Sequence, residues 1–165
     1  MQQFIYDEVL SIIMKSLVVY YSRTNVTKKL AESIASEINA DIEEINSKVN
    51  YNGKIGYARG GKDAITEKII DIENTKYNPE DYDIVYLGTP VWAGKSSTPL
   101  ISYIKENEGK FDNVKFFATA GGSGFEGTFK QLEKFTNQKP QSTLELLTKE
   151  VKKDLYADKL ADFIK

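Results

Sequence analysis

The sequence predicts an α/β fold, in which helices cover both faces of a parallel sheet, and three observations carry that expectation. Short, largely apolar runs at 17–21, 83–88 and 114–118 suit strands buried on both faces. Each run breaks into a loop of hydroxyl, amide or glycine residues, and each loop leads into a stretch with helical apolar spacing. Strand and helix therefore alternate with short connections, which implies right-handed crossovers and a ligand site beyond the carboxyl ends of the strands. All three polar loops fall at that end.

The chain has 165 residues, enough for one domain with a sizeable core. Residues 1–13 read in two ways: as an optional N-terminal extension before a natural start at Met14-Lys15-Ser16, or as a short packed helix built on Phe4, Ile5, Val9, Leu10, Ile12 and Ile13. A signal peptide fits this segment poorly, because Asp7 and Glu8 interrupt it and no basic residue precedes it, so a cytoplasmic protein is expected.

The first strand, Leu17-Val18-Val19-Tyr20-Tyr21, turns at Ser22-Arg23-Thr24-Asn25-Val26-Thr27 into a helix whose apolar stripe is Val26, Leu30, Ile34 and Ile38, flanked by Ala31 and Ala35. Unpaired N–H groups and the positive dipole end at such a helix start attract an anion, with phosphate the candidate. Asp41 to Ile45 forms a short second strand near the sheet edge. Asn46 to Gly61, with Asn50, Asn52, four glycines, Tyr51 and Tyr57, reads as a functional loop, and Asp63 to Ile70 as a short helix. The third strand ends in Thr89-Pro90-Val91-Trp92-Ala93-Gly94, before a helix that Ser97 or Thr98 can cap, with Pro99 in its first turn and Gly109 at its stop. The fourth, Val114 to Ala118, opens into Thr119-Ala120-Gly121-Gly122-Ser123-Gly124. A helix bearing Phe125, Phe129 and Leu132, a last strand over 142–147 and a terminal helix with Tyr156, Leu160 and Ile164 complete the chain.

Composition narrows the chemistry. A formal charge of −2 gives no basic footprint for nucleic acid, and no apolar run approaches the length of a membrane span. Without cysteine or histidine there is no thiol, disulfide, iron–sulfur or imidazole chemistry, so redox work needs a bound organic cofactor. Two motif matches are set aside. Gly122-Ser123-Gly124-Phe125-Glu126-Gly127 fits a dinucleotide fingerprint, with Glu145 near the distance for a ribose contact, but it follows the wrong strand. Gly56 to Asp63 approaches a nucleotide P-loop, yet Asp63 stands where a hydroxyl should hold magnesium.

From Met14 to Lys165 the sequence resembles the flavodoxin family, through three separated motifs. Ser22, Arg23, Thr24, Asn25, Val26 and Thr27 are similar to the loop that wraps the FMN phosphate with hydroxyls and amides; Asn25 stands where the family has glycine, a position that Asn tolerates in a left-handed conformation. Gly88 to Gly94, with Thr89, Pro90, Val91, Trp92, Ala93 and Gly94, looks like the loop flanking the flavin ring. Trp92 would supply an aromatic face there, the alternative being a core aromatic. Thr119, Ala120, Gly121, Gly122, Ser123 and Gly124 look like the loop at the flavin's pyrimidine edge, where glycine permits close approach.

The resemblance implies a three-layer α/β/α sandwich with a five-stranded parallel sheet in the order 2-1-3-4-5, in the short form of the family. It implies FMN as cofactor and a one-electron carrier that works through the flavin semiquinone and hydroquinone, meeting redox partner proteins transiently. It also implies a glycine-containing peptide that reorients beside the reduced ring, for which Ala58-Arg59-Gly60-Gly61 is the candidate. Arg23 either touches phosphate or only attracts it from a distance. Two other functions stay open: an FMN-dependent NAD(P)H:quinone-type oxidoreductase, and a flavin-free interaction module on the same fold.

Overall fold

Leu17, Val18 and Val19 are completely buried, and the strand they form, β1 (Ser16–Tyr20), lies inside a parallel sheet. The computed structural model describes the backbone of residues 1–165 and the side chains of all but residues 10–12. β1 pairs with β2 (Asp41–Glu44) on one side and β3 (Ile84–Trp92) on the other. β4 (Lys95–Ser96) folds back antiparallel on the end of β3, while β5 (Val114–Ala120) and β6 (Thr143–Leu147) extend the parallel sheet, giving the order β2-β1-β3-β5-β6. Counted over the five parallel strands alone, this is the expected 2-1-3-4-5.

Successive side chains of a strand point to opposite faces, and β1 shows it. Leu17 and Val19 join one core with Leu100, Tyr103 and Ile104 of α4 (Thr98–Glu106) and Leu132 of α5 (Phe125–Thr136). Val18 and Tyr20 join the other, with Leu30 and Ile34 of α2 (Val26–Ile38), Val151 of α6 (Thr148–Lys152) and Leu160 and Phe163 of α7 (Ala157–Phe163). Leu30 and Ile34 are fully buried, so the α2 stripe alone contributes roughly 1.5–3 kcal/mol per large side chain. Gly88 lets β3 pass over Phe117 of β5, because a methyl at 88 would overlap that ring.

Two stretches differ from the sequence expectation. Residues 46–61 are not one long loop: α3 (Gly53–Ile65) begins inside it and takes up the front of the segment expected as a helix over 63–70. Its glycines serve packing rather than flexibility, since a side chain at Gly56 would collide with the Tyr51 backbone and one at Gly60 would stand 3.1 Å from the Trp92 ring. In edge strand β2 the faces are inverted. Ile42 is exposed and Glu43 is buried, its carboxylate accepting from the backbone N–H groups of Lys76 and Tyr77.

Residues 2–13 form a helix, α1 (Gln2–Ile13); of the residues in the packed-helix reading, Phe4, Ile5, Val9 and Ile13 are exposed, and Leu10 and Ile12 lie outside the described side chains. No described helix is long and apolar enough to cross a membrane.

Candidate functional site

The three polar loops meet at the carboxyl edge of the sheet. β1 runs on to Tyr21, whose N–H donates to Gly88 O at 3.2 Å, and the chain then turns through Ser22–Asn25 into α2. Asn25 closes the turn at φ 68°, in the left-handed region, and its side chain makes no capping bond. An Asn side chain is one of the few that accept this conformation readily. Between Tyr21 N–H and Lys29 N–H, which donates to Asn25 O, no backbone N–H of residues 22–25 has a partner among the described residues. Ser22 Oγ is buried and likewise has none. Buried polar groups in native proteins are nearly always paired, so an orphan beside free N–H groups at a helix start is a donor set that an anion would satisfy. Thr27 is not part of the orphan set. Its hydroxyl is buried and lies 2.8 Å from that of Thr119, tying this loop to the end of β5.

The middle loop is a hairpin. β3 continues through Thr89, Pro90 and Val91 to Trp92, which pairs with Lys95 across a two-residue turn of Ala93 and Gly94, with φ 50° and 74°. Positive φ at both positions is the type I′ pattern that fits the twist of a two-stranded ribbon. Thr89 is fully buried and its hydroxyl is spent inside the protein: it accepts from Ser97 N–H at 2.9 Å and lies 2.9 Å from Ser97 Oγ and 3.2 Å from Ser96 Oγ. Thr89 therefore fastens the hairpin to the start of α4, and its hydroxyl is not available to a ligand. Ser97 is the expected N-cap of α4 but uses its hydroxyl here rather than in a cap.

Trp92 also departs from expectation. It is 7% exposed and sits edge-on between Tyr21 and Tyr51, with ring centroids 5.5 and 4.9 Å away, beneath Gly60. It packs as the core aromatic of the two readings, with Gly60 against the indole. The reason is α3, which the sequence hid as a loop and which roofs over the indole. The Ala58 to Gly61 segment lies within that helix, with Gly60 against the indole, so its peptides are not a free loop able to reorient.

The open aromatic face belongs to Tyr57. It is 68% exposed, has the Arg23 guanidinium 5.2 Å from its ring centroid, and lines with Arg23, Ala58, Gly61, Val91 and Trp92 a cleft of about 170 Å³. Tyr57, placed between Gly56 and the Gly60-Gly61 pair, was the signal for it. Beneath the cleft, Tyr51 donates to the buried carboxylate of Asp63 at 2.8 Å, which explains the acid in the near-P-loop motif and removes that motif from consideration. Burial pushes the Tyr21 hydroxyl up to about 12, against the pull of Arg23, so it stays protonated through the neutral range.

In the third loop, Thr119 and Ala120 are buried as the last residues of β5, while Gly121, Gly122 and Ser123 are exposed. Gly124 has φ 100°, and a Cβ there would stand 2.7 Å from Val91 Cγ1; one at Gly127 would stand 2.5 Å from Gly94 O. The last two glycines of the dinucleotide-like fingerprint thus exist so that the start of α5 can close on the hairpin turn.

The flavodoxin family profile matches residues 15–163. Among solved structures, a flavoprotein from Lactobacillus acidophilus NCFM in complex with FMN is similar at 24% identity, over 90% of this chain and 99% of that one, with a TM-score of 0.68. The apo form of the flavoprotein from the same organism is similar at 25% identity over 85% and 96% of the two chains, with a TM-score of 0.58. A Fusobacterium nucleatum flavodoxin bound to flavin mononucleotide shares the fold at 12% identity over 92% and 95%, with a TM-score of 0.53. No curated protein matches the chain. A profile match spanning nearly the whole chain agrees with the strand order and with the three loops gathered at one sheet edge: this chain belongs to the flavodoxin family.

Proposed function

We propose that this protein binds FMN at the carboxyl edge of its sheet and serves as a one-electron carrier between redox proteins. The observation that carries the reading is the cradle at Ser22–Asn25: an orphaned buried hydroxyl, a run of unspent N–H groups and a left-handed Asn25 at the start of α2. That donor set fits a phosphate dianion, which asks for several N–H and O–H donors and favours the positive end of a helix. FMN, when bound, supplies the electron chemistry; the chain binds, orients and shields it. Ser22 and the 22–25 amides hold the phosphate, and Arg23 adds attraction from the rim. Tyr57 and Val91 offer the open aromatic and aliphatic walls of the cleft for the ring. Trp92, packed under Gly60 and between Tyr21 and Tyr51, keeps the wall behind them dry and rigid. No acid or base is asked to move a proton.

A fluorescence titration tests the reading. The protein should quench FMN emission at one equivalent and bind riboflavin far more weakly, because the cradle addresses the phosphate. Equal affinity for both flavins, or no quenching by either, overturns it.

A further inference from the structure

We infer that Trp92, Tyr51 and Asp63 form a relay that draws an oxidising equivalent out of the cleft and rests it on a buried tyrosine, with Asp63 taking the proton. Nothing in it requires flavin, so it stands apart from the carrier reading. Trp92, the single tryptophan of the chain, lines the cleft and has the Tyr51 ring centroid 4.9 Å away. Aromatic rings in such contact exchange an electron readily. The Tyr51 hydroxyl in turn donates to Asp63 Oδ2 at 2.8 Å, and both residues are buried, at 2% and 4% exposure.

Asp63 is a costly residue for a structural role alone. A buried carboxylate is normally offset by a cation, yet no ion pair among the described residues includes Asp63. It lies in the last turn of α3, where the helix dipole disfavours an anion. Among the described residues, Tyr51 supplies the only hydrogen bond that its side chain receives. A neutral amide would tie Tyr51 to α3 equally well; what the carboxylate adds is a base.

That base decides where the charge comes to rest. An oxidised phenol is a strong acid, so a tyrosine gives up an electron easily only when an acceptor for its proton is in place. Two tyrosines flank the indole, Tyr21 at 5.5 Å and Tyr51 at 4.9 Å. Among the described residues the Tyr21 hydroxyl meets no acceptor and feels the Arg23 cation, whereas that of Tyr51 meets Asp63. Burial, and then Asp63, hold the Tyr51 proton on its oxygen well above the ordinary range, so the proton leaves with the electron and not before it. Thr98 pulls the other way: its hydroxyl is buried with no partner of its own and is placed to donate to the phenolic oxygen once Asp63 has the proton. The step balances as one electron from Tyr51 to the Trp92 radical cation and one proton from Tyr51 Oη to Asp63 Oδ2. It leaves a neutral tryptophan, a neutral tyrosyl radical and a protonated Asp63.

Pulse radiolysis of the full chain without flavin tests the relay, with azide radical as the one-electron oxidant, itself reduced to azide ion. The Trp92 radical absorption should decay as tyrosyl absorption grows, with one first-order constant that is independent of protein concentration and smaller in deuterium oxide. Tyr51→Phe and Asp63→Asn should each slow that step about tenfold or more, as losing a proton acceptor from the barrier-crossing step requires, while Tyr21→Phe leaves it unchanged. Asp63→Asn keeps an acceptor for the hydrogen bond and removes the base, so a merely structural Asp63 would leave the rate as it was. Trp92 radicals that decay only by encounter between molecules, tyrosyl growth that survives Tyr51→Phe, an Asp63→Asn rate equal to the parent's, or no isotope effect overturns the proposal. The isotope effect is read on the unsubstituted chain, so it decides the matter even where a variant fails to fold.

Discussion

The hydroxyls of Thr27 and Thr119 lie 2.8 Å apart, both residues buried, and join the first turn of α2 to the last turn-out of β5. Two of the three loops are thus locked by one bond across 92 residues of sequence. Thr27→Ala leaves the Thr119 hydroxyl buried and unpaired, which costs roughly 1–3 kcal/mol. Replacing both by valine removes the polar pair while keeping its shape, so the double variant should lose less than Thr27→Val and Thr119→Val together. Urea unfolding of the four proteins measures the coupling, and strict additivity would show that the bond does not matter.

Ser22 behaves in the opposite way. Its Oγ has no partner inside the protein, so Ser22→Ala removes a buried desolvated group and should leave the flavin-free protein as stable as before, or slightly more so. A hydrogen bond to a charged phosphate is worth roughly 1.5–3 kcal/mol, so FMN affinity should fall about ten- to a hundredfold. The signature is the split: thermal melting without flavin unchanged, FMN titration weakened. Loss of both would make Ser22 an ordinary packing residue.

The strands at β1, β3 and β5 and the helices that follow them are legible in the chain because buried apolar runs and four-residue stripes are local signals. The turn at Ser22–Asn25 is local as well, a hydroxyl and an Asn directly after a strand, whereas Thr27, read together with them, is spent on Thr119. What stays hidden is set by distant partners. Thr89 sits in a motif that reads as a ligand loop, yet Ser96 and Ser97 consume its hydroxyl. Trp92 follows a turn-like Gly-Thr-Pro, yet the strand does not end there and α3 covers its ring. Gly56 and Gly60 carry the propensity of a loop, and only the Tyr51 backbone and the indole they touch reveal them as contact glycines in a helix.

The α3 glycines separate the two readings of residues 53–61. Gly61 is helical and a Cβ there meets nothing nearer than Ala93 Cβ at 3.9 Å, so Gly61→Ala should stabilise by about 0.5–1 kcal/mol through helix propensity. Gly56→Ala drives a methyl into the Tyr51 backbone and should destabilise by more than that gain, on the order of 1–3 kcal/mol. Chemical denaturation reads both. If the two variants prove equally harmless, the segment is a loop after all.

Asn25 holds φ 68° with no side-chain bond to compensate, a conformation that costs non-glycine residues roughly 1 kcal/mol. Asn25→Gly should therefore keep or raise stability and bind FMN at least as tightly, while Asn25→Val, branched at Cβ, should lose both. A clear drop in FMN affinity for Asn25→Gly would mean that the amide side chain itself touches the ligand.

Alkaline pH probes the core as a whole. Burial pushes the Tyr21 and Tyr86 hydroxyls up to about 12, and burial raises those of Tyr51 and Tyr103 as well, Tyr51 with a further push from Asp63. Unfolded, each tyrosine ionises near 10, so between about pH 10 and 12 the native state binds more protons and stability falls as pH rises. Tyr21 and Tyr86 are 8% and 4% exposed, so by the top of that window each takes away on the order of a few kcal/mol, a large part of an ordinary folding free energy. Lys115 works the other way. Burial lowers it although Nζ donates to Phe163 O at 2.8 Å and Lys165 O at 3.2 Å, so it binds its proton more tightly unfolded and gains stability as pH rises toward its ordinary range. One lysine opposes several tyrosines, and the balance turns downward above pH 10. Tyrosinate absorbance should then rise in a cooperative step that coincides with loss of the far-ultraviolet circular dichroism signal; a gradual rise centred near pH 10 with the fold intact would show that these rings are open to water.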